Sequence, residues 1–219
     1  MANENMNIIG AGQDTERPAP KKILDACCSK RAFWFDKNDN RVVYMDKRNE
    51  IITRPDISST GGKRVLEIKP DIQADFSNLP YLSGTFCLVV FDPPHMLTLG
   101  ANSYMARQYG KLSGEWRDML RRGFSECFRV LKSDGVLIFK WNESEVSLSE
   151  VLSLTEQQPL FGHKTNTKMN THWVCFMKQE APVLGEESPA QNTMNLPYST
   201  QQPQTAIKTA VVRGTQDHK

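Results

Sequence analysis

The tetrapeptide Asp92-Pro93-Pro94-His95 directly follows an apolar run and combines groups that can hold and orient an amine. Two consecutive prolines fix the backbone and remove two N–H donors, but their carbonyl oxygens remain acceptors. A rigid carbonyl beside the Asp92 carboxylate can accept hydrogen bonds from a planar amine and aim its lone pair at a methyl donor, and such positioning contributes about 7–11 kcal/mol. The His95 ring can stack on a base. The alternative is a strand-ending turn, in which Asp and Pro are common.

Three further acids come at or near the ends of candidate strands: Asp25, Asp46 and Asp75. A carboxylate at the end of the second strand is placed to accept both hydroxyls of a ribose. Asp75 can accept from an adenine amino group with Phe76 beside the ring, and Asp25 can orient the charged end of the same ligand. Each acid taken alone is more simply a helix cap or a loop acid. As a set at consecutive strand ends, the acids indicate a nucleoside-binding crevice.

Apolar segments and helical periodicity predict the elements that would deliver these residues. The predicted strands are Lys22–Cys28, Arg41–Asp46, Arg64–Ile68 (alternatively the arm of an inserted hairpin), Thr85–Phe91, Gly135–Trp141 and His172–Met177. The Thr85–Phe91 run is continuous, as expected of a strand covered on both faces. Apolar residues at three- and four-residue spacing predict a helix from Gly114 to Leu131, which Ser113 can cap. A second helix is predicted from Ser147 to Leu154.

Buried strands separated by helices predict a Rossmann-like, doubly wound α/β fold with a mostly parallel sheet. The strands around residues 161–177 would add an antiparallel pair at the edge. Ligands of such sheets bind beyond the carboxyl ends of the strands. The fold would therefore gather the four acids along one crevice.

The 219-residue chain suits one domain, and its 39% hydrophobic content indicates a globular protein. We predict a flexible segment over residues 1–20, a domain over 21–180 and a disordered polar tail over 181–219. The longest apolar run is too short to span a membrane, and the polar start lacks a signal stretch. Five cysteines without C-x-x-C spacing indicate reduced thiols in a cytoplasmic protein.

Basic residues concentrate in the part of the chain that follows the tetrapeptide. The net charge of the whole chain is +2, whereas seven basic and three acidic residues between His95 and Lys132 give a local excess of +4. This excess indicates either a solvated helix face or a surface that contacts phosphate.

The loop from His95 to Lys111 has two glycines that can act as hinges and is predicted to be a lid or substrate loop. Its candidate substrate-binding residues are Tyr104, Arg107 and Lys111. Lys140 and Trp141 lie at the end of the next strand, on the same side of the sheet as the tetrapeptide, and can line the pocket. Trp141 can equally belong to the core.

The order of Asp25, Asp46, Asp75-Phe76 and Asp92-Pro93-Pro94-His95 resembles the class I S-adenosylmethionine-dependent methyltransferases over about residues 22–178. It is most similar to the amino-group methyltransferases whose fourth motif is Asp/Asn/Ser-Pro-Pro-aromatic, and in particular to small enzymes of phage and prophage genomes. The resemblance implies that Asp25, Ala26 and Cys27 line the methionine end of S-adenosyl-L-methionine. It further implies that Asp46 binds the ribose, that Asp75 and Phe76 bind the adenine, and that the Asp92–His95 tetrapeptide holds the target amine.

Two positions depart from that family's pattern. The loop after the first strand is usually glycine-rich, whereas Ala26-Cys27-Cys28-Ser29-Lys30 contains no glycine. The aromatic of the fourth motif is usually Tyr, Phe or Trp, whereas this chain has His95, whose imidazole is smaller and can also form hydrogen bonds.

The expected reaction is methyl transfer to an exocyclic amine, with adenine N6 in DNA as the expected target and RNA as the alternative. The expected partner is a nucleic acid, and no membrane is expected as a partner. A homodimer or an accessory protein is kept as a further alternative. Four scattered histidines indicate no metal site, and methyl transfer needs none. The glycine-poor loop keeps open a non-catalytic binding module on the same fold. A dinucleotide oxidoreductase is disfavoured, because no Gly-x-Gly-x-x-Gly follows the first strand. The expected location is the cytoplasm of a bacterial host or a phage-infected cell.

Overall fold

The computed structural model describes residues 20–56, 58, 60–100, 103–112, 114–165 and 170–179. The predicted lead-in (except residue 20), the cap Ser113 and the predicted tail lie outside the described residues. The chain divides into two units, Met1–Glu180 and Ala181–Lys219, and the described residues all belong to the first. The predicted domain bounds stay a prediction.

The described residues form nine strands and three helices. The strands are β1 (Ile23–Asp25), β2 (Val42–Asp46), β3 (Glu50–Pro55), β4 (Lys63–Ile68), β5 (Ile72–Gln73), β6 (Phe86–Phe91), β7 (Leu131–Asn142), β8 (Phe161–Lys164) and β9 (Thr171–Met177). The helices are α1 (Tyr104–Tyr109), α2 (Trp116–Val130) and α3 (Leu148–Leu152). Within this part of the chain, no helix is both long and apolar enough to cross a membrane.

Seven strands form one sheet in the order β5-β2-β1-β6-β7-β9-β8. The five strands from β5 to β7 run parallel, whereas β9 is antiparallel to both of its neighbours. This topology confirms the predicted mostly parallel α/β sheet with an antiparallel pair at the edge. The chain moves outward from β1 through β2 to one edge and from β6 through β7 to the other, so the strand order reverses between β1 and β6. Ligands of open α/β sheets bind at such a reversal.

Helix α2 packs its apolar stripe on one face of the sheet. The buried stripe contains Trp116, Leu120, Phe124, Cys127 and Phe128. Helix α3 contributes Val151 to the same core, and Ser147 caps it by accepting a hydrogen bond from the Glu150 N–H. The stripe predicted from the sequence is therefore the main contact between helix and sheet.

The opposite face of the sheet covers β6 less completely than its continuous apolar run predicts. Trp34 and the half-buried Ile23 pack there on Cys28, Val42 and Tyr44, but Cys87 in β6 is exposed. The register between β6 and β7 shifts between Phe86 and Leu88, so this end of the apolar strand is not enclosed on both faces.

Apart from the two-residue β5, two elements were not predicted. Strand β3 pairs with β4 as a separate two-stranded hairpin, which settles the alternative left open for Arg64–Ile68. Helix α1 lies inside the predicted lid loop. Both elements border the carboxyl ends of β1 and β2, as the contacts below establish.

Gly123 in α2 lies against the rings of Phe76 and Phe91, where a Cβ atom would come within 2.8 Å of each ring. We expect Gly123→Ala to lower the free energy of unfolding by about 1–2 kcal/mol, because overpacking two core rings outweighs the ~1 kcal/mol gain in helix propensity. Urea unfolding measures the change. Gly100→Ala, where a Cβ atom meets no neighbour, is the matched control and should be neutral or slightly stabilising. A Gly123→Ala midpoint at or above that of the wild type would contradict this packing.

Candidate active site

Asp25 ends β1 beside the strand-order reversal and is fully buried. Its Oδ1 accepts from the Cys27 N–H at 3.2 Å, and its Oδ2 accepts from the Trp34 indole N–H at 2.7 Å. Burial raises the pKa of Asp25 to about 7, against the effect of these two hydrogen bonds, and the charges of Asp92 and Asp46 add to the rise. The structure thus brings three of the predicted acids close together, and it gives Asp25 two protein partners.

The loop after β1 takes a compact path without glycine. Ala26 donates its N–H to the Val90 carbonyl at 2.9 Å, which ties the ends of β1 and β6 together. Ser29 and Arg31 have φ angles of 45° and 56°, a left-handed conformation that glycine adopts at no steric cost. The backbone shape usually made by glycine is therefore present here, at a cost of about 1–2 kcal/mol for each strained residue.

Asp46 ends β2 and is almost fully buried. Its Oδ2 accepts from the Ser29 N–H at 2.9 Å, and its Oδ1 accepts from the Arg48 N–H at 2.9 Å and from Arg48 Nε at 3.0 Å. Arg48 Nη1 also donates to the carbonyl of Arg107 at 2.7 Å, near the C-terminal end of α1. Arg48 therefore pairs with the carboxylate predicted to bind ribose and also holds α1 over the crevice.

Asp75 follows β5, the strand paired with β2. Its Oδ1 accepts from the Ser77 N–H and hydroxyl at 2.9 and 2.8 Å, and Lys47 Nζ lies 2.9 Å from its Oδ2. Burial opposes the charged form, but these partners lower the pKa of Asp75 below its usual value. The ring of the neighbouring Phe76 is buried in the core, 5.1 Å from that of Phe91. That this ring lies beside the adenine of a cofactor stays a prediction.

Asp92 follows β6 and pairs with Lys140 of β7, whose Nζ lies 2.6 Å from Asp92 Oδ2. No described residue donates a hydrogen bond to Asp92 Oδ1. Burial raises the pKa of Asp92 above its usual value, although Lys140 opposes the rise. The Lys140 ammonium lies 5.7 Å from the ring centroids of both Phe33 and Trp173, so aromatic rings flank the ion pair.

His95 faces two rings, with its centroid 6.5 Å from Tyr109 and 6.2 Å from Trp141. Burial lowers the pKa of His95 below its usual value, although Asp92 opposes the change, so the ring is neutral near pH 7. Trp141 itself is fully buried and donates its indole N–H to the Val146 carbonyl at 2.9 Å. The structure thus places Trp141 in the core, which was the alternative to a pocket wall.

Glu145 fixes the start of the loop that follows the tetrapeptide. It accepts hydrogen bonds from the Leu97 N–H and from the Thr98 N–H and hydroxyl. At the other end of the loop, Gly110 lies against Pro94, where a Cβ atom would come within 2.7 Å of the proline ring. Its φ angle of 80° also favours glycine, so this glycine allows the end of α1 to approach the tetrapeptide.

The remaining predicted substrate residues lie along or just after α1. Tyr104 packs on the buried cluster Ile52, Leu66 and Ile68 of the β3–β4 hairpin, whereas the side chains of Arg107 and Lys111 are exposed. Sequence reasoning missed Trp34 and Arg48. The second has a local signal, since a basic residue two positions after a strand-end acid can fold back onto it.

No protein-family model matches the chain, and no curated protein matches it. Among solved structures, it is similar to the PH0226 protein from Pyrococcus horikoshii, at 16% identity and a TM-score of 0.43 over 74% of this chain and 83% of the other. A TehB-like SAM-dependent methyltransferase from Corynebacterium glutamicum matches at 13% identity and a TM-score of 0.43 over 74% and 83% of the two chains. A 1,6-didemethyltoxoflavin-N1-methyltransferase from Burkholderia thailandensis, with bound S-adenosylhomocysteine, matches at 13% identity and a TM-score of 0.41 over 74% and 72%.

The buried Asp25 carboxyl should make stability depend on pH. Its pKa is about 7 in the folded protein, against an ordinary value of 3.8, so between these pH values the folded state binds a proton that the unfolded state releases. Stability contributed by this group is therefore present below about pH 4 and falls by up to about 4 kcal/mol as the pH rises to 7. In Asp25→Asn, which cannot ionise there, the unfolding free energy relative to wild type should rise over that range. Parallel pH profiles in urea unfolding would refute the assignment.

Proposed function

We propose that the protein is an S-adenosyl-L-methionine-dependent methyltransferase that acts on an exocyclic amine, with adenine N6 in DNA as the target. The observation that carries the proposal is the position of Asp92-Pro93-Pro94-His95. The tetrapeptide follows β6 at the strand-order reversal, and Asp92 Oδ1 accepts no hydrogen bond from the described residues. Ligands of open α/β sheets bind at this place, and the rigid carbonyls and the carboxylate are acceptors suited to an N–H₂ group.

The residues at the neighbouring strand ends fit the proposed cofactor in part. Asp46 and Asp75 follow two paired strands and can accept hydrogen bonds from ribose hydroxyls and from an adenine amino group. The backbone of Ala26 and Cys27 lies at the reversal point and can line the methionine end. Asp25 is different, because its side chain is fully buried and accepts hydrogen bonds from Cys27 and from the Trp34 indole; it would support this loop rather than contact the cofactor.

S-adenosyl-L-methionine, when bound, would supply an electrophilic methyl group for the amine nitrogen, with its sulfonium sulfur as the leaving group. Asp92 Oδ1 and the Pro93 carbonyl accept the two amine hydrogens and orient the lone pair. The nitrogen must then lose one proton, and the Asp92 carboxylate, whose pKa burial raises, is the group placed to accept it. Lys140 keeps that carboxylate ionised before the reaction.

A flat heteroaromatic amine suits the surroundings of Asp92. His95, neutral near pH 7, can stack on such a ring or donate to it, and Phe33 and Trp173 flank Lys140 nearby. These aromatic groups support a nucleobase as the acceptor, in DNA or alternatively in RNA. In a duplex the base must be flipped out, which costs a few kcal/mol. We place the reaction in the cytoplasm of a bacterial host or phage-infected cell, with a homodimer or accessory protein as a possible aid to target selection.

One observation favours a second candidate function, a non-catalytic nucleic-acid-binding module on the same fold. Arg48 occupies the Asp46 carboxylate and would have to leave before a ribose could bind there. Cofactor affinity in an Arg48 variant separates the two candidates.

Arg48→Ala should tighten binding of S-adenosylhomocysteine about three- to tenfold, because it frees Asp46 from an ion pair of ordinary strength. Isothermal titration calorimetry measures the dissociation constant. Arg41→Ala is the matched control, since Arg41 pairs with Asp39 at the same two-residue spacing but on the exposed surface, and it should leave the constant unchanged. Loss of binding in Arg48→Ala would make Arg48 a binding residue, and no binding by either variant or the wild type would favour the non-catalytic module.

Asp92→Asn should lower methyl transfer at least 100-fold while leaving cofactor affinity unchanged, because it disturbs only the amine and its proton. Tritium transfer from labelled S-adenosylmethionine is measured with unmethylated duplex DNA, single-stranded DNA and RNA, and nucleoside digestion identifies the base. Asp134→Asn is the control, because Asp134 is an exposed residue of β7 with a φ angle of 59°, which Asn tolerates. Cofactor binding without label in any nucleic acid would exclude this acceptor class and point to a protein or small molecule.

A further inference from the structure

The β3–β4 hairpin stands apart from the main sheet and carries two opposed arginines. Its inner face buries Ile52, Leu66 and Ile68 against Tyr104. Beyond this cluster, Arg54 of β3 lies directly opposite Arg64 of β4 in the strand register. Like charges at opposed positions of an antiparallel pair destabilise it, and an isolated hairpin is only marginally stable. The carboxylate of Asp56, which directly follows β3, offsets part of this repulsion.

Both arginines approach the same carboxylate. Arg64 Nε lies 2.8 Å from Asp56 Oδ2, whereas the nearest nitrogen of Arg54 lies 4.0 Å from that oxygen. Arg54 instead holds its guanidinium over the Tyr104 ring, 4.0 Å from the centroid. An arginine stacked in this way keeps its donors available at its edges and loses little freedom when an anion binds.

A cleft of about 420 Å³ separates the hairpin from α1. It is lined by Lys30, Arg54 and Arg64 together with Tyr104, Met105 and Tyr109. Met105 and Tyr109 are 45% and 38% exposed. Cations that follow a backbone, with exposed apolar and aromatic side chains beside them, are the combination with which proteins hold single-stranded nucleic acids.

The cleft leads toward Asp92 along α1. This helix of six residues is about 9 Å long; Tyr104 at its start contacts the hairpin, and Tyr109 at its end faces His95. A strand whose base reached Asp92 would therefore place a neighbouring phosphate near Arg54 and Arg64. The target base would enter from an unpaired strand, because a single strand exposes the base faces on which aromatic side chains stack.

Three arginines in the basic stripe of α2, the other candidate for phosphate contact, lie in ion pairs, as Arg64 does with Asp56. Arg117 pairs with Glu150, Arg121 with Asp118 and Arg129 with Glu126. The sequence left open whether this stripe is a solvated face or a phosphate surface, and the cleft differs from it in the exposed Met105 and Tyr109 beside its cations.

From these contacts we propose that the cleft between the β3–β4 hairpin and α1 binds the phosphate backbone of a single-stranded nucleic acid next to the target base. The inference rests on the proposed function and adds to it the surface that positions the substrate. Lys30, Arg54 and Arg64 neutralise phosphates, and Tyr109 supplies a ring face between them and His95.

Fluorescence anisotropy with a fluorescein-labelled 16-nucleotide single-stranded DNA tests the cleft. Removing two phosphate contacts in Arg54→Gln/Arg64→Gln should weaken binding about 10- to 30-fold at 100 mM salt and reduce the slope of log K against log[salt] by about 1.4. Arg54→Lys/Arg64→Lys keeps both charges and should keep the slope. Arg121→Gln/Arg122→Gln removes the same charge from α2 and should change affinity less than twofold. Unfolding midpoints establish that each variant folds.

Equal losses in the hairpin and α2 variants, unchanged affinity in the hairpin variant, or no binding of the strand by the wild type would each overturn the proposal. The tritium assay keeps this failure distinct from failure of the proposed function. Wild-type methyl transfer to nucleic acid by the hairpin variant would refute the cleft alone, whereas no transfer to any nucleic acid by the wild type would refute the proposed acceptor whatever the anisotropy shows.

Discussion

The Asp46 carboxylate ties together the segments that surround the crevice. It accepts the Ser29 N–H from the loop after β1 and the Arg48 side chain from the turn after β2. Through Arg48 it also reaches the carbonyls of Arg107 and Gln108 in α1. A nearly buried carboxylate needs such partners, because an unpaired charge in that position is costly. The positions of the loop, the turn and the lid helix all follow from meeting that need.

Each acid at a strand end, except Asp25, likewise pairs with a basic side chain. Asp46, Asp75 and Asp92 pair with Arg48, Lys47 and Lys140, each from the protein's own chain. At Asp46 and Asp75, a ligand with hydroxyl or amine donors therefore exchanges one set of partners for another instead of entering a site of bare charges, which lowers the net gain on binding. Asp25 has no cationic partner among the described residues, and its raised pKa reflects that environment. The hydrogen bond from Trp34 ties the end of β1 to the segment that follows it.

The sequence predicted the sheet far better than the surroundings of the site. Strands β2 and β9 lie within one residue of their predicted bounds, because continuous apolar runs have a strong local signal. Strand β3 was missed since its apolar residues are few and Pro55 ends it, and α1 was missed because six residues are too short for a helical period. Trp141 was placed at the pocket because a sequence does not reveal which face of the sheet a ring occupies. The Asp25–Trp34 hydrogen bond depends on loop geometry that no local pattern encodes.

The glycine-free cofactor loop has a physical explanation in Ser29. A glycine there would adopt the φ angle of 45° without strain, but it would have no hydroxyl. Ser29 uses its N–H on Asp46 and its hydroxyl on the Gln108 carbonyl at 3.1 Å, so one residue joins the loop to both β2 and α1. The strain of about 1–2 kcal/mol is of the same size as the stabilisation from these two hydrogen bonds. Serine thus exchanges backbone freedom for a hydrogen bond that ties the loop to α1.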